Sequence, residues 1–450
     1  MDFLGWTAAA GGLLLLMSLA SAWIHRGPVT SFGLYLAAGV ICGPWVLDLL
    51  RVDIATHPEL VGRITEIAMA ASLFITGLKL RLPFKSSSWR MGLLLAFPAM
   101  ILTVAGITLA IHWLAGFSWS LSLAFGAIVA PTDPVLASLI SVNDASDDDS
   151  LRVSLSSEAG LNDGTALPVL MLAVALLASH GELSLPMFSH WALVDVAWAL
   201  VAGLAIGYSM GRMVGYLAAR LKSWQNDVTP SDFIALALIA LSYAAAQSVE
   251  ASGFLATFAA GVGLRRTELK VVNRYPLEDQ ESGSHGPAEA FVNPNQRHAI
   301  HQGGPVKSVG LVIGDALSFG DTMERLLAAA IVIILGITLA LHWEPLGLLL
   351  AALLFLVIRP ISVYLATLGT EAPVRRRMLI GWLGIRGIGS INYIAYAYTH
   401  GLTGADATRM TDMAFTLIAA SVVVHGMTVS PLLHRRQSTL SAAKARDKHH

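Results

Sequence analysis

The chain has 450 residues, 55% of them hydrophobic and only 13% charged, with a net charge of −1 and a mean hydropathy of +0.64. A soluble domain carries about 25% charged residues, so this composition excludes one, and the balanced charge gives no sign of a nucleic-acid partner. The single cysteine, Cys42, excludes an internal disulfide and any cysteine-based metal site.

Apolar stretches of about 20 residues, enough to cross a bilayer, recur along the sequence. Alternating segments of the β-barrel kind are absent. The expectation is an all-α membrane protein with about thirteen transmembrane helices. In chain order the spans fall near 4–24, 28–50, 61–79, 91–114, 118–142, 151–179, 190–219, 230–249, 251–264, 323–343, 345–368, 376–400 and 410–433. The first run has no cation before His25-Arg26, so it reads as a spanning helix rather than a cleaved signal peptide. Positive charge orients the spans. With the N-terminus outside, 24 of the 29 Lys and Arg lie on or near one side, including Lys79, Arg81, Arg265, Arg266, Arg375, Arg376 and Arg377. Arg51, Arg63 and Arg409 fall on the other side, and Arg359 and Arg386 within spans. The C-terminus is then cytoplasmic, in a multi-pass protein of the plasma (inner) membrane.

Residues 1–435 form one expected transmembrane unit. Within it 266–306 is a polar cytoplasmic loop, 307–322 reads as an interfacial helix, and 436–450 is a short cytoplasmic tail. The fifth span is interrupted at Thr132-Asp133-Pro134. The twelfth is interrupted by Gly381, Gly384, Gly387 and Gly389 around Arg386. These positions correspond if spans 1–6 and 8–13 are inverted repeats about the seventh. Paired broken helices at matched positions point to a transporter's midplane site.

A carboxylate at the centre of a lipid-embedded helix costs roughly 2.5–3.5 kcal/mol on insertion scales, so it marks a functional site. Asp133 sits between Pro131 and Pro134, in a backbone tolerated only where it lines protein or a watery cavity. Opposed half-helix ends carry about half a charge each. Asp133 in one break and Arg386 in the other have the signs to neutralise them, and Asp133 has a second open role, contacting the cation. On the sixth span Glu158 and Asn162 share a face, whereas Asp163 is rotated about 100° away. Gly160 and Gly164 are expected to admit a neighbouring backbone. Arg359, followed by Pro360, needs a carboxylate; Glu158 is the candidate, which leaves Asp163 as the titratable acid. One carboxylate that holds either a proton or Na⁺ performs exchange. Glu158, Arg359 and Arg386 read as structural ion-pair groups. Glu66 reads as a snorkelling acid or as a ligand. His112, His342, His400 and His425 read as interfacial.

At these residues the chain resembles the monovalent cation:proton antiporters of the NhaP/NHE type. Thr132-Asp133-Pro134, the Asn162-Asp163 pair in SEAGLNDGTALP, and GIRGIGSINY around Arg386 carry the likeness. So do Arg359-Pro360, Leu73-Phe74 with Gly77-Leu78-Lys79-Leu80, and His425-Gly426-Met427-Thr428, over roughly 10–435. The resemblance implies thirteen helices, a six-helix core around crossed broken helices 5 and 12, a separate dimerisation domain, alternating access and a homodimer in the lipid bilayer. For members with Asn-Asp it also implies electroneutral exchange. One position departs: Ala159 stands where many members have a serine whose hydroxyl binds the ion. Its oxygen must come from Thr132, Ser157, a backbone carbonyl or water.

The expected function is antiport of Na⁺ (or Li⁺) for H⁺, with Thr132, Asp133, Asn162, Asp163 and Glu66 as ion- and proton-binding residues and no cofactor. K⁺/H⁺ antiport is the alternative. An intramembrane aspartyl protease would need Gly-x-Gly-Asp, but Leu161-Asn162 precede Asp163. A channel would need a filter-like loop, and none is seen.

Overall fold

The computed structural model describes residues 30–136, 149–225, 232–275, 286–292 and 304–447, with a few isolated positions besides. The first expected span, 4–24, lies largely outside these residues. Each later span carries a helix, and the described residues contain no strand. In order these are α1 (Ser31–Cys42), α2 (Pro58–Lys79), α3 (Ser87–Ala115), α4 (Trp119–Val129), α5 (Ser150–Ala178) and α6 (Leu185–Ala218). There follow α7 (Asp232–Gln247), α8 (Gly253–Arg274), α9 (Pro305–Thr338), α10 (Leu346–Ala366), α11 (Val374–Trp382), α12 (Ile388–Thr399) and α13 (Ala405–Asp447). Among the described residues, six helical runs are long and apolar enough to cross a membrane.

Two prolines shape the long helices. Pro98 lies in a π-turn at Leu95–Ala99 in α3, and Pro360 follows a second π-turn, Leu354–Ile358, in α10. A proline has no N–H to donate, and a widened turn absorbs the lost ladder bond. The second turn sets Arg359 just beyond it, with its side chain in the interior.

The breaks fall where the sequence places them. α4 stops at Val129, and residues 130–136 leave the α-helical path. α11 ends at Trp382, residues 383–387 are non-helical, and α12 starts at Ile388.

Small residues bring other helices close. A Cβ on Gly207 of α6 would lie 1.9 Å from the Ala256 carbonyl oxygen of α8, and one on Gly211 2.0 Å from that of Ala260. These two backbones touch, a packing that depends on glycine at the contact. Gly160 and Gly164 of α5 behave differently from expectation. What fills their space is side chain, the Phe258 ring and the Leu255 methyls of α8, not a backbone.

The polar stretch also differs. α8 continues to Arg274, so 266–274 is helix rather than loop. A 3₁₀ turn at Ala288–Phe291 docks against the protein. Buried Arg265 donates to both oxygens of Glu289, at 2.7 and 3.0 Å, and Glu268 accepts from the Ala288 N–H. α9 runs unbroken from Pro305, so 307–322 is the start of a long helix and not a separate interfacial one. The rest of 276–303 lies outside the described residues.

At the opposite end, His342 joins three elements. Its Nδ1 lies 2.6 Å from Asp412 of α13 and its Nε2 2.9 Å from Asp53 of the α1–α2 connection. The Asp412 hydrogen bond, then that of Asp53, push its pKa up to about 9 against the cost of burial. A raised histidine pKa stabilises the fold fully below the unfolded value near 6.5, and that stability is lost as pH rises through about 9. The melting temperature of the purified wild-type protein is therefore expected to fall between pH 7 and 10. His342→Gln should melt lower at pH 7 and fall less over the same interval; parallel curves for the two proteins would refute the bridge.

Candidate cation and proton site at the crossed breaks

The two unwound segments are laced together by their own polar groups. Asp133 is buried, and both its oxygens accept backbone N–H bonds. Oδ1 takes Leu136 at 2.8 Å and Oδ2 takes Gly389, in the first turn of α12, at 2.7 Å. Its own N–H donates to the Ile385 carbonyl at 2.9 Å. Arg386 does the reverse. Its Nε donates to the carbonyl of Val129, the last residue of α4, at 2.9 Å, and Nη1 donates to the Gly384 carbonyl. The carboxylate thus meets exposed N–H groups and the guanidinium meets exposed carbonyls, as the dipoles of broken helices require. The Arg386 N–H is held by Ser421, whose hydroxyl lies 3.1 Å from His425. His425 is buried within α13 and is not interfacial.

Arg359 of α10 donates through Nη2 to Glu158 Oε1 of α5, with both side chains buried. The Thr132 hydroxyl lies 3.4 Å from the same oxygen. Asn162 uses its amide to fix Thr132, donating to the carbonyl at 2.7 Å and to Oγ1 at 2.9 Å. Ser157 turns away and donates to the Val153 carbonyl of its own helix. Of the two side-chain hydroxyls named as replacements at Ala159, only that of Thr132 stands beside Glu158 and Asn162.

Asp163 is buried, and its carboxylate has one hydrogen bond among the described residues: the Tyr393 hydroxyl of α12 donates to Oδ1 at 2.6 Å. Its Oδ2, together with Asn162 Oδ1 and Glu158 Oε2, is buried without a hydrogen-bond partner among the described residues. Asp163 lies at the edge of a cavity of about 430 Å³, which His190, Asp195, Glu250 and Tyr396 also line. His190 lies at the start of α6 and Glu250 in the α7–α8 connection, so the cavity reaches the ends of these helices. The 100° turn between Asn162 and Asp163 thus becomes two environments: a packed polar knot behind and a cavity in front.

Glu66 is not brought to this cluster. It pairs with Arg63 at 3.3 Å and lines a separate cavity of about 680 Å³ with Asn392 and His400. Tyr393, Asp195 and Glu250 were not signalled by the sequence reading. Tyr393 stands inside GIRGIGSINY, where an aromatic in an apolar run reads as core. Asp195 lies within a membrane-length span, and that was the available signal.

Crossed breaks around a buried acid that faces a cavity define a membrane transporter. A family model described as "Sodium/hydrogen exchanger, transmembrane" matches residues 12–293 and 298–435, and the chain belongs to that family. It is 23% identical over 439 residues to the K⁺/H⁺ antiporter NhaP of Alkalimonas amylolytica, covering 96% of this chain and 67% of the relative. It is 23% identical over 386 residues to the Na⁺/H⁺ antiporter NhaH of Halobacillus dabanensis, covering 83% of this chain and 84% of that one. The fold matches the sodium proton antiporter MjNhaP1 of Methanocaldococcus jannaschii with a TM-score of 0.64 and 17% identity, over 95% of this chain and 97% of that chain.

Breaking one side of the Glu158–Arg359 pair strands a charge in a low-dielectric interior, a loss of roughly 3–5 kcal/mol. Arg359→Met is expected to lower the melting temperature strongly, and the double variant Glu158→Gln/Arg359→Met to recover much of that loss. Additive losses in thermal melts of the three proteins would show that the pair is not coupled.

Proposed function

We propose that this chain is a secondary antiporter that exchanges a monovalent cation, Na⁺ first, for H⁺ at Asp163, one for one and by alternating access. The observation that carries the reading is the half-partnered Asp163 carboxylate at the edge of a cavity. One oxygen is held by Tyr393, and the other is buried without a partner among the described residues. A group so placed can neutralise its charge with a proton or with a cation, not with both. Asp195 and Glu250 give the cavity a negative lining that raises the local cation concentration. Thr132, Asn162 and Glu158 supply the neighbouring oxygens. The protein is read as a homodimer in the inner membrane with the N-terminus outside, supported by the family likeness and by the charge asymmetry.

Proteolysis fits the residues poorly. An aspartyl dyad needs two carboxylates free to share a water, and both oxygens of Asp133 are engaged by N–H groups. Within transport, K⁺/H⁺ exchange is the second reading, favoured by Ala159. With that hydroxyl missing, a bound cation keeps more of its water, and a site with fewer fixed oxygens separates Na⁺ from K⁺ less sharply.

Asp163→Asn should abolish cation-driven proton movement in proteoliposomes while expression and oligomeric state are kept. Wild-type rates in that variant would sink the assignment. With Asn162 beside it and Asp133 engaged on both oxygens, only Asp163 releases a proton when a cation binds. An imposed potassium diffusion potential of either sign should therefore leave exchange unchanged. Steady potential-driven transport would require a second titrating acid.

A further inference from the structure

We infer that Tyr393 is a positioning residue that sets how cation and proton compete for Asp163. Its hydroxyl holds Oδ1 while the carboxylate is charged and leaves Oδ2 as the oxygen that exchanges its occupant. The inference rests on the exchanger reading above.

Tyr393 is wholly buried on α12, and the only hydrogen bond of its hydroxyl among the described residues is the 2.6 Å one to Asp163. Gly389 lies four residues earlier, and positions i and i+4 share a helix face. One face of α12 therefore touches both acids: the Gly389 N–H is bound to Asp133 and the Tyr393 hydroxyl to Asp163. The contrast between the two is in what remains. Asp133 has no oxygen left over, whereas Asp163 has one.

A donor fixed on a carboxylate favours its charged form. When a cation sits on Oδ2, the carboxylate stays anionic and the tyrosine bond keeps its strength. When a proton binds Oδ2, Oδ1 becomes a carbonyl-like oxygen and accepts more weakly. The bond therefore supports the cation-loaded and empty states and opposes the protonated one. Other titratable groups also face Asp163. They are Asp133 in the break, His190 and Asp195 on α6, Glu250 in the α7–α8 turn and Tyr396 on α12. From α8 the cavity receives Gly253, Phe254 and Leu255, none of which titrates. Among the described residues none of these hydrogen-bonds the Asp163 carboxylate; Tyr393 does.

The test is Tyr393→Phe, which keeps the ring and deletes the hydroxyl. Exchange in proteoliposomes is measured across pH with Na⁺ and with K⁺. The activity profile should move about one unit to the alkaline side, a tenfold gain for the proton, which is the low end for a hydrogen bond to a charged group. The apparent KM for the cation should rise about tenfold on the acid side and converge on the wild-type value at alkaline pH, with the maximal rate kept within about threefold. A merely structural tyrosine would lower the rate at every pH without moving the profile, and that result overturns the inference. A wild-type protein that moves no protons in response to cations would instead overturn the exchanger reading. If Tyr393→Phe fails to insert, infrared difference spectra of wild-type protein with isotope-labelled tyrosine decide, using Asp163→Asn as the blank. The tyrosine C–O band should shift on acidification and hold still on cation addition at alkaline pH. A band that ignores acidification refutes the proposal.

Discussion

Everything at the centre of this protein depends on making two helix breaks tolerable in a bilayer. Each break strands backbone N–H and C=O groups where no lipid can bond them, at a cost of several kcal/mol apiece. Asp133 and Arg386 meet that cost from opposite sides. The carboxylate takes the N–H groups of Leu136 and Gly389, and the guanidinium takes the carbonyls of Val129 and Gly384. Neither binds the other among the contacts described. Each instead ties the end of one broken helix to the other segment, so the crossing is held by charge-assisted bonds to backbone rather than by an ion pair.

That arrangement divides the labour among the buried acids by counting their oxygens. Asp133 has both engaged and cannot let go of either without exposing a helix end. Glu158 is neutralised by Arg359. Asp163 keeps one oxygen uncommitted. Three carboxylates lie close together in space, yet only one has a partner that it can exchange. Asn162 matters here by what it lacks. An acid at that position would add a second negative charge beside Asp163, whereas the amide spends both its donor bonds on Thr132.

The sequence is most readable where it breaks a rule. Prolines and clustered glycines inside apolar runs, and charges at membrane depth, are expensive, and they mark the two breaks, the Glu158–Arg359 pair and Asp163. It is least readable where function is carried by residues that look ordinary. Tyr393 is an aromatic in a hydrophobic helix. Gly207 and Gly211 look like any glycines of a membrane helix until α8 lies against them. His425 looks interfacial because helix length alone does not say which face is covered. The docking of 286–292 is invisible because Glu289 and Arg265 are 24 residues apart along the chain, and a polar stretch reads as solvent-exposed by default. Glu66, open by sequence to a snorkelling or a ligand reading, pairs with Arg63 one helical turn away and lines a cavity apart from the breaks.

The cavity that reaches Asp163 lies on a particular kind of seam. Between α6 and α8 the backbones touch, and no side chain separates them at Gly207 and Gly211. Close-packed surfaces of that sort cannot slide without a clash, because a displacement of an ångström drives Cα into carbonyl oxygen. Between α5 and α8 the filling is different. Phe258 enters the space at Gly160 and Leu255 that at Gly164. Side chains can change rotamer, and the space beside them is already open as the cavity edged by Asp163, Phe254 and Leu255. The acid that has a free oxygen is thus placed on the boundary that side chains fill, beside the cavity rather than on the seam where backbones touch.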